Sequence, residues 1–284
     1  MKKVILILGL LITISFGATL EEATIAYNKG VSAFQKNDYK SALTIFEDLA
    51  SKGDATAQYN LGVMYENGYG VKQDYFKAKE WYEKAAVQGY SDAQNNLGIM
   101  YNYGKGVNQD YTKAFEWYEK AATQGVATAQ NNLGNAYQDG KVIKQDYLKA
   151  IEWYEKAAVQ GESHAQYNLG VMYNYGKGVK QDYFKAIEWY EKAAVQGFAI
   201  AQYNLGIMYV NGYGVKQDYF KAKEWYEKAA VQGYSDAQYN LGIMYVKGYG
   251  VKQDYLKAKE YFGKACDNKD QNACRNYKIL NEQG

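Results

Sequence analysis

The sequence predicts an all-α fold, a right-handed α-solenoid of stacked helix-turn-helix repeats. Three observations carry this. Asp74, Asp110, Asp146, Asp182, Asp218 and Asp254 recur every 36 residues, as do Leu-Gly pairs starting at 61, 97, 133, 169, 205 and 241. Within each period, apolar residues fall twice at helical spacing. The composition is that of one short unit copied many times: no proline, 28 glycines, 32 tyrosines, and 48% hydrophobic residues, ample for a core.

The chain starts with a distinct segment. Lys2 and Lys3 precede an apolar run, Val4–Ile14, and Ser15 and Gly17 follow at a spacing suited to signal peptidase. Residues 1–17 are therefore expected to be a secretory signal cleaved near Ala18; an uncleaved N-terminal anchor is the alternative. Eleven residues are too few to cross a hydrocarbon core of about 30 Å as a helix, and no cysteine follows for lipidation. After cleavage no integral membrane span is expected. Without Lys2 and Lys3 the chain has 31 basic and 31 acidic residues. Such neutrality lacks the electrostatic footprint of nucleic-acid binding.

Residues 18–54 are expected to form an N-terminal capping unit. Tyr27-Asn28-Lys29-Gly30-Val31 matches Tyr59-Asn60-Leu61-Gly62-Val63 at a distance of only 32, so the turn before Asp38 is four residues shorter and lacks the glycine loop. The tandem repeats then run over 55–265. In the first, Ala57, Leu61, Met64 and Tyr65 form one stripe, and Gly68 and Gly70 break the helix. Asp74 is placed to N-cap the second helix, whose stripe is Tyr75, Ala78, Tyr82, Ala85 and Ala86. Glu80 and Lys84 read as an outward i,i+4 pair, and Gly89 as the terminating C′ residue. Stacking such hairpins predicts about fourteen helices around one continuous core. Gly62 and its copies lie mid-helix, where glycine costs up to about 1 kcal/mol, which predicts close helix contact there. The tryptophan and tyrosine series are read as filling the core between repeats. Lys141-Val142-Ile143 replaces the usual Tyr-Gly-Val, so that turn should differ. Residues 266–284 are read as a C-terminal capping helix.

The pattern A-x-x-x-L-G-x-x-Y, a G-x-G-V turn, and D-Y-x-K-A-x-x-W-Y-x-K-A-A resembles the Sel-one-like repeat family, relatives of the tetratricopeptide repeat, over essentially the whole mature chain. Leu61, Gly62, Tyr65, Ala78, Tyr82 and Ala85 stand where the tetratricopeptide signature has its packing residues; Gly89 takes the place of its terminal proline. The chain looks most like secreted cysteine-rich bacterial members, whose repeats carry a cysteine pair eight residues apart. Here Cys266 and Cys274 fit that spacing, whereas an inner unit has Ala230 and Gln238. Two cysteines in an exported chain read as a disulfide, which over a loop of about nine residues contributes about 2.5 kcal/mol on the chain-entropy model. One histidine and two cysteines so spaced do not supply a zinc site.

The family resemblance also implies an alternative activity, a β-lactamase-like hydrolase that binds or opens penicillins. The residues give it no support. No serine has lysine three positions later, and neither K-T-G nor S-D-N occurs. No G-x-S-x-G elbow or P-loop is present, and a single histidine, His164, is too few for metallo-hydrolysis; it reads as a surface residue. No catalytic residue, metal or cofactor is assigned.

What remains is binding. In tetratricopeptide-like solenoids the first helices line the concave face, and there Asn60, Asn96, Asn132, Asn168, Asn204 and Asn240 precede every repeat leucine. Asparagine is a mediocre interior helix residue, so six identical choices need a reason. One is that each amide matches a peptide bond of an extended ligand; the other is a hydrogen bond that sets the spacing between repeats. Three neighbouring series vary: Tyr59, Asn95, Asn131, Tyr167, Tyr203 and Tyr239; Glu66, Asn102, Gln138, Asn174, Val210 and Val246; and Asn67, Tyr103, Asp139, Tyr175, Asn211 and Lys247. Constant amides beside variable side chains suit selective recognition of a protein or peptide. The expected function is an exported, periplasmic or secreted, interaction scaffold.

Overall fold

The structure, a computed structural model, describes residues 20–282. The expected signal, residues 1–17, lies outside the described residues. Among these there are fifteen helices and no strand. A leading hairpin is α1 (Leu20–Gln35) and α2 (Tyr39–Ser51). The first helices of the repeats are α3 (Ala55–Asn67), α5 (Ser91–Tyr103), α7 (Ala127–Asp139), α9 (Ser163–Tyr175), α11 (Ala199–Asn211) and α13 (Ser235–Lys247). Their partners are α4 (Tyr75–Val87), α6 (Tyr111–Thr123), α8 (Tyr147–Ala158), α10 (Tyr183–Val195), α12 (Tyr219–Val231) and α14 (Tyr255–Asp267), and α15 (Gln271–Glu282) closes the chain. That last helix accounts for one more than the period predicts. The chain divides into two compact units, Met1–Gln145 and Asp146–Gly284.

Local chemistry sets the helix limits. Asp74 Oδ1 accepts from the backbone N–H groups of Phe76 and Lys77 at 3.0 and 3.1 Å, and Asp110, Asp146, Asp182, Asp218 and Asp254 cap their helices in the same way. Such a cap stabilises a helix by about 1 kcal/mol. The first helices end in a left-handed glycine: Gly68, at φ 73°, donates its N–H to Met64 O. In the leading hairpin, which lacks the glycine loop, Asn37 takes the left-handed conformation instead.

The mid-helix glycines Gly62, Gly98, Gly170, Gly206 and Gly242 each admit an aromatic ring from the partner helix. A Cβ on Gly62 would lie 2.4 Å from the Tyr82 ring, and one on Gly206 2.3 Å from Tyr226. Gly30 faces Phe46 in the leading hairpin in the same manner, at 2.8 Å. Around these rings the alanines interlock. In unit 1, Ala78, Tyr82, Ala85 and Ala86 of α4 pack with Ala93, Leu97 and Met100 of the next repeat; in unit 2, Ala222, Tyr226, Ala229 and Ala230 pack with Ala237, Leu241 and Met244. Each repeat thus completes its core with its neighbour, as a solenoid requires.

Three expectations need correction or refinement. The ion pair of α4 runs from Lys79 to Glu83 at 2.7 Å, not from Glu80 to Lys84. Lys84 lies 3.9 Å over the Trp81 ring, because the indole is only half-buried and offers its outer face to a cation. The tryptophans therefore border the core, and the Tyr82 series fills it. The deviant turn does differ. In its siblings the carbonyl that takes the glycine N–H also takes the N–H of the next residue, as Met100 O does from Lys105; here Gly140 donates to Ala136 O, and Val142 avoids positive φ.

Candidate functional site

The first helices carry three rows of side chains with different duties. Deepest is a row of buried glutamines. Gln58, about 5% exposed, donates to Ala50 O and accepts from Gln88 Nε2 at 2.7 Å. Gln94 does so with Ala86 O and Gln124, and in unit 2 Gln202 does so with Ala194 O and Gln232. One amide thus joins the end of the preceding second helix to the end of its own partner helix. Sequence reasoning missed this row. Its signal was the Ala-Gln dipeptide that opens every first helix, constant at 57, 93, 129, 165, 201 and 237.

The same glutamine explains the cysteines. Cys266 and Cys274 are disulfide-bonded, eight residues apart, and join α14 to α15. Ala230 and Gln238 have that separation and are joined by a hydrogen bond of 3.0 Å. The last unit has a covalent bridge where the inner units have an amide bridge.

The second row is the asparagines. Asn60 Nδ2 bonds Tyr27 Oη at 3.2 Å. Asn96, Asn204 and Asn240 stand beside Tyr59, Tyr167 and Tyr203 and partly offset the burial that raises the pKa of those hydroxyls. In each case the tyrosine belongs to the preceding repeat. Asn132 instead lies 3.5 Å from Asn95 Oδ1, since Asn95 stands where that tyrosine would be. Asn168 is half-buried at the same position of α9. Burial pushes the Tyr59, Tyr167 and Tyr203 hydroxyls above the usual tyrosine range, so they serve as neutral partners. The structure therefore brings the asparagines and tyrosines together across repeat boundaries, where a spacing role uses them.

The third row faces outward. Asn67, Tyr103, Asp139, Tyr175, Asn211 and Lys247 are all exposed, and their chemistry differs from repeat to repeat. Of the three variable series, the first is packed between repeats, the second is half-buried, and this third one is free to meet a partner.

On the second helices Lys84, Lys120, Lys192 and Lys228 cover Trp81, Trp117, Trp189 and Trp225 at 3.9–4.1 Å. Open grooves lie along the turns, one of about 1040 Å³ beside Phe76 and Lys77 in unit 1 and one of about 730 Å³ beside Phe220 and Lys221 in unit 2. His164 is exposed; its Nδ1 lies 2.9 Å from Glu162 Oε1 and its ring edges Phe198 at 4.7 Å. The Glu162 carboxylate raises its pKa above 6.5. Among the described residues no three His, Cys, Asp or Glu side chains gather as metal ligands, and no helix is long and apolar enough to cross a membrane.

With the architecture in view, comparison with known proteins is decisive. The family described as Sel1 repeat matches six consecutive segments, residues 55–90, 91–126, 127–162, 163–198, 199–234 and 235–270. The chain belongs to the Sel1 repeat family. Sel1 repeat proteins generally act as scaffolds for protein–protein interaction. Among solved structures, the chain is similar to c5321, a protective antigen of uropathogenic Escherichia coli displaying an SLR fold, at 37% identity and a TM-score of 0.82. That match covers 93% of this chain, and the chain spans only 57% of the antigen's length. A Sel1 repeat protein from Oxalobacter formigenes is similar at 37% identity and a TM-score of 0.80, covering 85% of this chain and 99% of that one. An immunity protein from Pseudomonas aeruginosa, PA5088, at 24% identity and a TM-score of 0.50 over 80% of this chain and 82% of that one, shares the fold alone. No match was found among curated proteins.

Proposed function

We propose that this Sel1 repeat chain is an exported interaction scaffold that holds an extended protein segment along its first-helix face, the concave face of the solenoid. The observation that carries this is the division of labour on that face. Glutamine and asparagine amides keep the repeats in register, and above them the outermost series changes from Asn67 to Tyr103, Asp139, Tyr175, Asn211 and Lys247 while its framework stays constant. A rigid frame with an outward row of differing side chains is what a selective binding surface needs. The exposed Tyr103 and Tyr175, 67% and 66% accessible, are its natural anchors, because tyrosine offers large contact area at little entropic cost.

Export is supported by the Lys2-Lys3 apolar leader and by the Cys266–Cys274 disulfide, a bond that persists in oxidising compartments. Residues 18–54 and 266–284 serve as caps for the array. Asn60, Asn96, Asn132, Asn168, Asn204 and Asn240, with Tyr167 and Tyr203, form the frame of the binding face in this reading.

The test is affinity selection of displayed peptides on the mature chain, followed by Tyr103→Ala with Tyr175→Ala and, separately, Asn204→Ala with Asn240→Ala. Loss of binding at unchanged helicity in the tyrosine pair is expected. The asparagine pair should lower the melting temperature, since it removes two tyrosine partners. Selection of no peptide, or full binding by the tyrosine pair, would refute the assignment.

A further inference from the structure

The third repeat departs from its siblings at one place. Five repeats bury a methionine three residues after the Leu-Gly leucine: Met64, Met100, Met172, Met208 and Met244 are at most 3% exposed. The third has Ala136 there, and it is partly exposed. A small side chain in a filled interior would be buried; Ala136 is reached by solvent because the space of the missing Cγ, Sδ and Cε is open. Next to it, Asn135 replaces the valine or isoleucine of the other repeats.

A cavity of about 370 Å³ lies at this point, wholly within unit 1, in the size range of small-ligand sites, roughly 300–1,000 Å³. Its inner lining includes Ala114 and Tyr118, themselves 2% and 5% exposed, together with Phe115. The amides of Asn102, Gln109, Asn132 and Asn135 also line it. The turn helps to keep it open. In a sibling, Gly106 sits so close to the preceding repeat that a Cβ would lie 2.5 Å from Tyr75 O. Val142, at the corresponding place, cannot make that approach to Tyr111, and Lys141 lies 5.3 Å over the Tyr111 ring and 3.7 Å from Asp139. The one anion and one cation at the cavity are thereby paired with each other.

We infer that this cavity is a binding pocket for an unbranched apolar side chain of methionine size, presented by an extended peptide. The inference rests on the reading of the first-helix face given above and names a subsite within it. The part of the cavity above Ala136 is where a sibling's methionine would reach, and Phe115 and Tyr118 line it with rings that favour contact with a thioether. Asn102 and Asn132 supply amides for the peptide backbone on either side. The Asp139–Lys141 pairing leaves no free charge to draw a charged side chain inward.

The experiment is a methyl-TROSY NMR titration of alanine-labelled mature chain with N-acetyl-methionine methylamide, and with the lysine and isoleucine analogues. The Ala136 methyl signal should shift saturably with the methionine amide, and about tenfold less tightly with the other two. Ala136→Met restores the sibling residue, so it should fold at least as stably and lose the response; Ala136→Leu serves as a second filling variant. An unchanged response in both filling variants, equal affinity for the lysine amide, or no saturable shift would overturn the pocket. The displayed-peptide selection separates this from the broader reading. Peptides that bind Ala136→Met as well as wild type leave the face intact and remove the pocket. A saturable methionine response with no selected peptide does the reverse.

Discussion

At the scale of single residues, Gly206 shows how a costly choice becomes necessary. Glycine within a helix loses about 1 kcal/mol relative to alanine, yet the ring of Tyr226 occupies the place where a Cβ would stand. Gly206→Ala would force that buried ring aside, and overpacking of this kind costs about 1–3 kcal/mol. Chemical denaturation should therefore show destabilisation where helix propensity alone predicts a gain. His164 gives a second residue-scale prediction. Its hydrogen bond to Glu162 raises the folded-state pKa above the unfolded value, so its contribution to stability is complete below pH 6.5 and is lost as pH rises through the folded pKa. An NMR titration should find the midpoint above 6.5, and Glu162→Gln should lower it. A midpoint unaffected by that substitution would show that the contact is not formed in solution.

At the scale of elements, the bridge between consecutive hairpins is an amide in the inner repeats and a disulfide in the last. Gln202→Leu would remove the hydrogen bonds to Ala194 O and from Gln232. Ala194 O keeps its bond from Gly197 N–H and Gln232 its bond to Lys228 O, so each loss costs about 0.5–1.5 kcal/mol, and the melting temperature should fall accordingly. The last bridge has a different consequence. α15 packs on a single neighbour side and buries Ala273 as its one fully buried residue, so it depends on Cys266–Cys274 to remain docked. On reduction, hydrogen exchange should accelerate across residues 271–282 and change little in α11 or α12. Uniform acceleration throughout unit 2 would contradict that local role.

At the scale of the whole molecule, order comes from neighbour-to-neighbour contact repeated along the chain. Within unit 2, α11 and α12 meet α10 and α13 on either side, and their sequence keeps the 36-residue register. Removal of residues 199–234 joins Phe198 to Ser235 with every bridge position preserved. The shortened chain should fold with the same helicity per residue and a lower melting temperature, because stability in such arrays sums over repeats and their interfaces. A loss of cooperative unfolding would mean that this repeat does more than propagate the stack.

The sequence by itself determined the period, the two helices of each repeat, the aspartate caps, the glycine terminators and the deviant turn at Val142. Each follows from rules that act within a few residues: backbone sterics, orphan N–H groups at helix starts, and apolar spacing. Tertiary structure alone decided which partners the constant polar side chains take. Asn60 meets Tyr27, 33 residues away, only once neighbouring hairpins have stacked, and Gln88 meets Gln58, 30 away, only once the two helices of one hairpin have closed on each other. The same holds for the half-buried tryptophans under their lysines and for the space above Ala136. A substitution announces a change of residue, but whether it leaves a filled core or an open cavity depends on whether the surrounding helices and turn close over it, and here Val142 stands where its siblings have a glycine close against the preceding repeat.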